Sequence, residues 1–128
     1  MDVAAKYDAC VEALRTFMAA AGFSDVVIGL SGGIDSAVVA VMSVDALGAD
    51  HVHAYLLPGP YSTDHSLTDA QAEADALGIS AQVLSIKRPS EAFASVLAPA
   101  CGGSFEGMAS QNTQARCRMI CLMALSNQ

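Results

Sequence analysis

The 128-residue sequence predicts an α/β protein: one domain with a doubly wound parallel sheet and helices on both faces. Three observations carry that prediction. Short apolar runs at 25–30, 51–57 and 81–86 alternate with longer segments of helical periodicity. Glycines at 22, 48 and 78 stand just past three of those helical segments. A Gly-rich turn joins the first apolar run to the helix after it. Strand–helix alternation of this kind makes neighbouring strands parallel, with right-handed crossovers.

In chain order, Val3, Tyr7, Cys10, Leu14, Phe17 and Met18 recur at three-to-four spacing and predict a helix over 3–21 with one apolar face. DVVIGL (25–30) predicts a strand buried on both faces, and SAVVAVMSVDAL (36–47) a helix. HVHAYLL (51–57) predicts a second strand, in which His51 and His53 share a face as ordinary strand residues. After the loop PGPYSTDH, SLTDAQAEADAL (66–77) predicts a helix opened by the capping-box pair Ser66 and Asp69. AQVLSI (81–86) predicts the third strand, SEAFASVLA (90–98) a helix, and residues 108–127 the last helix. Between those helices, PACGGSFEG (99–107) has the composition of a mobile loop. The sequence stops after a helix, where the alternation calls for a strand. The expectation is a longer protein whose sheet is interrupted here before its fourth strand, the first strand being central in the whole sheet.

A hydrophobic share of 53% and a mean hydropathy of +0.42 exclude a disordered chain. No apolar run has the length of a membrane span, and MDVAAKYDAC lacks the basic-then-apolar order of a signal peptide. A soluble, cytoplasmic protein without a membrane partner is expected. The net charge of −7 lacks the basic footprint of a nucleic-acid binder. An anionic ligand therefore calls for local arginines or a bound cation. Cys10, Cys101, Cys117 and Cys121 form no CxxC pair and are expected as small apolar fillers; a metal site at Cys117 and Cys121 is the lesser reading.

The turn itself is Gly29, Leu30, Ser31, Gly32, Gly33, Ile34, Asp35 and Ser36. It lies between a strand and a helix, at the carboxyl edge of the sheet where open α/β folds bind ligands. The backbone N–H groups of Gly32 and Gly33, the hydroxyls of Ser31 and Ser36, and the next helix's N-terminus are expected to present donors to an anion. It has neither the lysine of a Walker A loop nor the spacing of the dinucleotide fingerprint. Asp35 beside a pyrophosphate is repulsive unless a divalent cation lies between them, and Mg²⁺ accepts one or two carboxylates plus phosphate oxygens. The alternative is a tight turn in which Asp35 caps the helix.

SGGIDS resembles the SGGxDS motif of the ATP pyrophosphatases, also called PP-loop proteins. LLPGPYSTDHSLTDAQAEADALGI (56–79) and QNTQARCRMICLMALSNQ (111–128) resemble segments of the NAD synthetases within that superfamily. Three ordered matches cover nearly the whole chain. The resemblance implies that Gly29 to Ser36 hold ATP, that Asp35 binds Mg²⁺, and that Arg116 contacts deamido-NAD⁺. It implies a ligase that adenylates deamido-NAD⁺, releases pyrophosphate, and admits ammonia to give NAD⁺ and AMP. Free ammonia is the expected nitrogen source, and a homodimer joined through the last helix the expected assembly. Gln111 stands where the family usually has Glu. Tyr61 and His65 are open between an adenine-side role and a loop ordered by its own hydrogen bonds, and Arg118 is expected on another side of the helix from Arg116, as a structural or interface residue. Another adenylating amidotransferase of the superfamily and a non-catalytic nucleotide-binding fragment are the rival functions. The 128 residues alone are expected to bind ATP weakly and not to make NAD⁺.

Overall fold

The β-branched run Val26-Val27-Ile28 suits extended backbone, and it forms the first strand of a parallel sheet. The computed structural model describes residues 2–128. Strands β1 (Val26–Gly29), β2 (Val52–Leu56) and β3 (Ser80–Val83) stand in the order β1-β2-β3, all parallel. The helices are α1 (Val3–Ala21), α2 (Ile34–Leu47), α3 (Asp64–Leu77), α4 (Lys87–Leu97) and α5 (Gly107–Ser126).

Alternation along the second strand sends its side chains to two cores. Val52, Ala54 and Leu56 are buried with Ala40 of α2 and with Ala70 and Ala74 of α3, whose small side chains let the helices approach the sheet. Tyr55 and Leu57 pack on the opposite side with Ile86, Cys117 and Leu122. Helices thus cover both faces, as predicted. Burying Val52 and Leu56 stabilises the fold by roughly 1.5–3 kcal/mol each.

Several expectations are corrected. Val26, Val27 and Ile28 are half-buried rather than buried, because β1 pairs only with β2 among the described residues. α1 packs on α2 through Val11 and Met18, with Tyr7 and Leu14 half-buried, so its buried stripe is rotated away from Val3 and Phe17, which are exposed. Tyr7 donates to Asp45 at 2.5 Å, which pushes its phenol up to about 12. Arg15 donates to the carbonyls of Asp45 and Ala46, giving partners to groups near the end of α2.

The cap of α3 is Thr63, whose hydroxyl accepts from the Ser66 amide at 3.2 Å, so the capping residue lies three positions before the expected Ser66. β3 ends at Val83, yet the Leu84 and Ile86 amides still donate to Leu56 and Pro58, continuing the tie to the segment after β2. α4 begins at Lys87, and Ala98–Cys101 forms a 3₁₀ turn that runs from the end of the expected helix into the expected loop. Cys117 is buried and Cys121 half-buried, as fillers should be, whereas Cys10 and Cys101 are exposed.

His51 ends a 3₁₀ turn (Ala49–His51) rather than lying in the strand, whereas His53 is in β2 as expected, and both share one carboxylate partner. Asp25 accepts from His53 at 2.7 Å and from His51 at 2.8 Å, at the amino edge of the sheet. Those bonds, His53's first, hold the Asp25 carboxyl well below the usual range. Among the described residues no helix is long and apolar enough to cross a membrane.

Candidate functional site

The site is built where β1 ends. The Leu30 amide donates to the Tyr55 carbonyl at 2.9 Å, one last rung of the β1–β2 ladder, and the chain then turns away. The turn is made at Gly32, whose φ of +84° is a left-handed conformation. A Cβ there would stand 2.6 Å from the Ser66 carbonyl oxygen and 3.0 Å from the Ser66 Cα. Only glycine lets this loop lie against the first turn of α3.

Gly33 is the N-cap of α2 and supplies no side-chain cap bond, so the first amides of this helix have no side-chain partner. Asp35 sits in that first turn, exposed, with no ion pair or side-chain hydrogen bond among the described residues. The capping alternative for Asp35 is thereby overturned.

The hydroxyls behave differently from expectation. Ser31 Oγ accepts from the Gly33 amide at 3.2 Å and lies 3.0 Å from Ser36 Oγ. Ser36 Oγ accepts from the Ser31 amide at 3.1 Å and donates to the Gly33 carbonyl. Both fasten the loop to itself and so hold its shape; the Gly33 amide is spent on Ser31, and the Gly32 amide and the uncapped amides of α2 are the donors left for an anion.

Beside the loop is a cavity of about 710 Å³. Gly29, Leu30 and Ser31 form one wall, and Tyr55, Leu57 and Pro58 the floor. Ser62 and Ser66 close one side, and α5 supplies Arg116, Arg118, Met119 and Leu122 opposite. Gly32, Gly33, Ile34, Asp35 and Ser36 continue from its rim rather than line it. Arg116 is exposed and also borders a smaller cavity of about 280 Å³ beside Phe93 and Leu97. Arg118 lies about 200° round the helix from Arg116, as expected, yet both border this cavity. Two of the chain's six Lys and Arg residues therefore border this cavity.

Tyr61 and His65 are exposed and do not line the cavity. Their neighbours Ser62 and Thr63 take hydrogen bonds from the Gly59 and Ser66 amides, so the loop is ordered by its own bonds. Sequence reasoning missed Tyr55, Leu57, Met119 and Leu122. The signals existed: Tyr55 and Leu57 alternate on one face of β2 and its extension, and 115, 118, 119 and 122 share one helical face.

Asp35, an exposed carboxylate beside the uncapped N-terminus of α2, has the oxygen-donor chemistry of a hard-cation ligand. Among the described residues no group of three His, Cys, Asp or Glu side chains could cage a metal.

The family model described as NAD synthase matches residues 6–128. The glutamine-dependent NAD(+) synthetase of Rhodobacter capsulatus is 42% identical over 127 residues, covering 99% of this chain and 23% of that protein. The structure of glutamine-dependent NAD+ synthetase from Acinetobacter baumannii with ADP superposes with a TM-score of 0.89 at 38% identity, over 94% of this chain and 23% of that one. NH3-dependent NAD synthetase from Campylobacter jejuni, in complex with the nitrate ion, gives a TM-score of 0.84 at 29% identity, over 99% of this chain and 53% of that one. The chain thus spans about a quarter of the length of the curated relatives it matches. By sequence and by fold, it belongs to the NAD synthase family.

Proposed function

We propose that this chain supplies the ATP-phosphate site and one arginine contact for the acceptor in the ATP-dependent amidation of deamido-NAD⁺. In that reaction a nicotinate carboxylate oxygen attacks the α-phosphorus of ATP, and the α–β bond breaks to release pyrophosphate. Ammonia then attacks the acyl carbon of the adenylate, AMP leaves, and a proton is lost to solvent. The loop Gly29–Ser36 holds the phosphates against the uncapped N-terminus of α2. Bound Mg²⁺, held by Asp35 and phosphate oxygens, would screen their charge. Arg116 pairs with an anionic group of deamido-NAD⁺, a role suited to its planar fork.

The observation that carries the proposal is Gly32. Its left-handed backbone and its contact with Ser66 fix a loop that ends in free helix amides, with Asp35 exposed in the next turn. Ammonia is the proposed nucleophile at this site, whether free, as the name of the NH3-dependent structure has it, or drawn from glutamine, as the names of the curated relatives have it. A homodimer through α5 is part of the proposal, because Met119, Ile120 and Met123 expose apolar surface on that helix.

Calorimetry of the chain with ATP and Mg²⁺, followed by a pyrophosphate-release assay with deamido-NAD⁺ and ammonium, tests it. Weak Mg·ATP binding, a separate deamido-NAD⁺ isotherm and no NAD⁺ formation by the 128 residues alone are expected. Mg·ATP binding with no response to deamido-NAD⁺ would instead favour the nucleotide-binding rival, and pyrophosphate released only with another carboxylate acceptor would favour a different amidotransferase.

A further inference from the structure

Parallel pairing carries a rung from the Leu30 amide to the Tyr55 carbonyl. The next carbonyl on that side of the extended segment belongs to Leu57, and its partner in a continued ladder would be the amide of residue 32. The chain has already turned at Gly32 to make the loop, so that rung is not formed. Arg118 takes the place of the missing strand: its Nε donates to the Leu57 carbonyl at 2.9 Å, in a partly buried setting. A buried carbonyl without a donor is unfavourable.

The same side chain lies across the loop that follows. A Cβ on Gly59 would stand 3.0 Å from Arg118 Nη2 and 2.9 Å from Oε1 of the buried Gln114. The Gly59 amide donates to Ser62 Oγ at 2.8 Å, and the Ser62 amide to the Gly59 carbonyl at 3.2 Å. One bond from α5 therefore holds the end of β2 and, through close packing on Gly59, the turn that carries Ser62 into the cavity wall.

We infer that Arg118 is a positioning residue, acting through its Nε–H bond to Leu57 rather than through its charge on a ligand. The inference rests on the cavity being the ligand site proposed above.

Two substitutions separate the bond from the charge. In Arg118→Gln the amide nitrogen occupies the chain position of Nε and keeps a donor without a charge, whereas Arg118→Met keeps the length without a donor. The full chain is compared with both variants by hydrogen exchange at the Gly59 and Ser62 amides and by Mg·ATP affinity. Arg118→Met is expected to speed exchange and to weaken affinity roughly tenfold, and Arg118→Gln to stay within about threefold in both. Equal loss of affinity in the two variants with unchanged exchange would overturn the inference, since the charge would then act on the ligand. No change in either variant would also overturn it. If Arg118→Met does not fold, Arg118→Gln alone decides: retained loop protection supports the inference and its loss overturns it. If the parent itself binds no Mg·ATP, the proposed function fails, and the exchange rates still decide the role of Arg118.

Discussion

Replacing Gly32 by alanine should cost far more than the same change at the adjacent Gly33. At Gly32 two penalties combine. A residue with a Cβ at φ +84° costs about 1 kcal/mol relative to glycine. The methyl would also stand 2.6 Å from the Ser66 carbonyl oxygen, a backbone atom, so the loop and α3 must separate by several tenths of an ångström. Overpacking of that kind costs roughly 1–3 kcal/mol. The combined penalty of about 2–4 kcal/mol is a large share of a typical domain's net stability of about 5–15 kcal/mol. Gly33 has an ordinary φ of −90°, and its nearest neighbour is the Ser31 hydroxyl at 3.3 Å. Alanine there should cost about 0.5–1 kcal/mol as a poorer N-cap. Urea denaturation of the parent and both variants measures the difference, read as a midpoint shift at constant slope. If Gly32→Ala lost no more stability than Gly33→Ala, the loop would not be packed on α3 and this description of the site would be wrong.

Asp25 contributes stability while it is ionised, because its folded pKa is depressed by the bonds from His53 and His51. That contribution is full above the unfolded aspartate value of about 3.9 and is lost as pH falls below it toward the folded value. The Tm gap between the parent and Asp25→Asn should accordingly be widest above about pH 4 and narrow below it; a gap independent of pH contradicts this. Arg116→Lys keeps the charge and loses the fork, so the affinity of the chain for deamido-NAD⁺ should fall by about 1–2 kcal/mol, with Mg·ATP affinity unchanged. Equal losses for both ligands in calorimetry would point to a folding role.

What the sequence made legible follows the range of the interactions involved. Period and glycine punctuation placed every helix and strand within a few residues, because those signals are local. The loop was legible because its glycines and Asp35 are contiguous. The structural role expected of Arg118 is borne out by its bond to the Leu57 carbonyl, but the partner was not legible, being 61 residues away with no side-chain signature. The Asp25 pair with His51 and His53 was missed for the same reason, as parallel pairing brings residues 26 and 28 positions apart to one carboxylate. The hydroxyls of Ser31 and Ser36 were assigned outward because composition does not say whether a loop donor is spent on the loop itself.

The central claim is that the loop holds nucleotide phosphates with a cation bridged by Asp35. The most direct measurement is ATP affinity of the parent and of Asp35→Asn, each in Mg²⁺ and in chelator. The amide keeps the shape of Asp35 and removes its charge, and no hydrogen bond of the side chain is lost among the described residues. Mg²⁺ should strengthen ATP binding in the parent, and most of that gain should vanish in Asp35→Asn while the fold persists. Binding of Mg·ATP by Asp35→Asn as tight as by the parent would contradict the account.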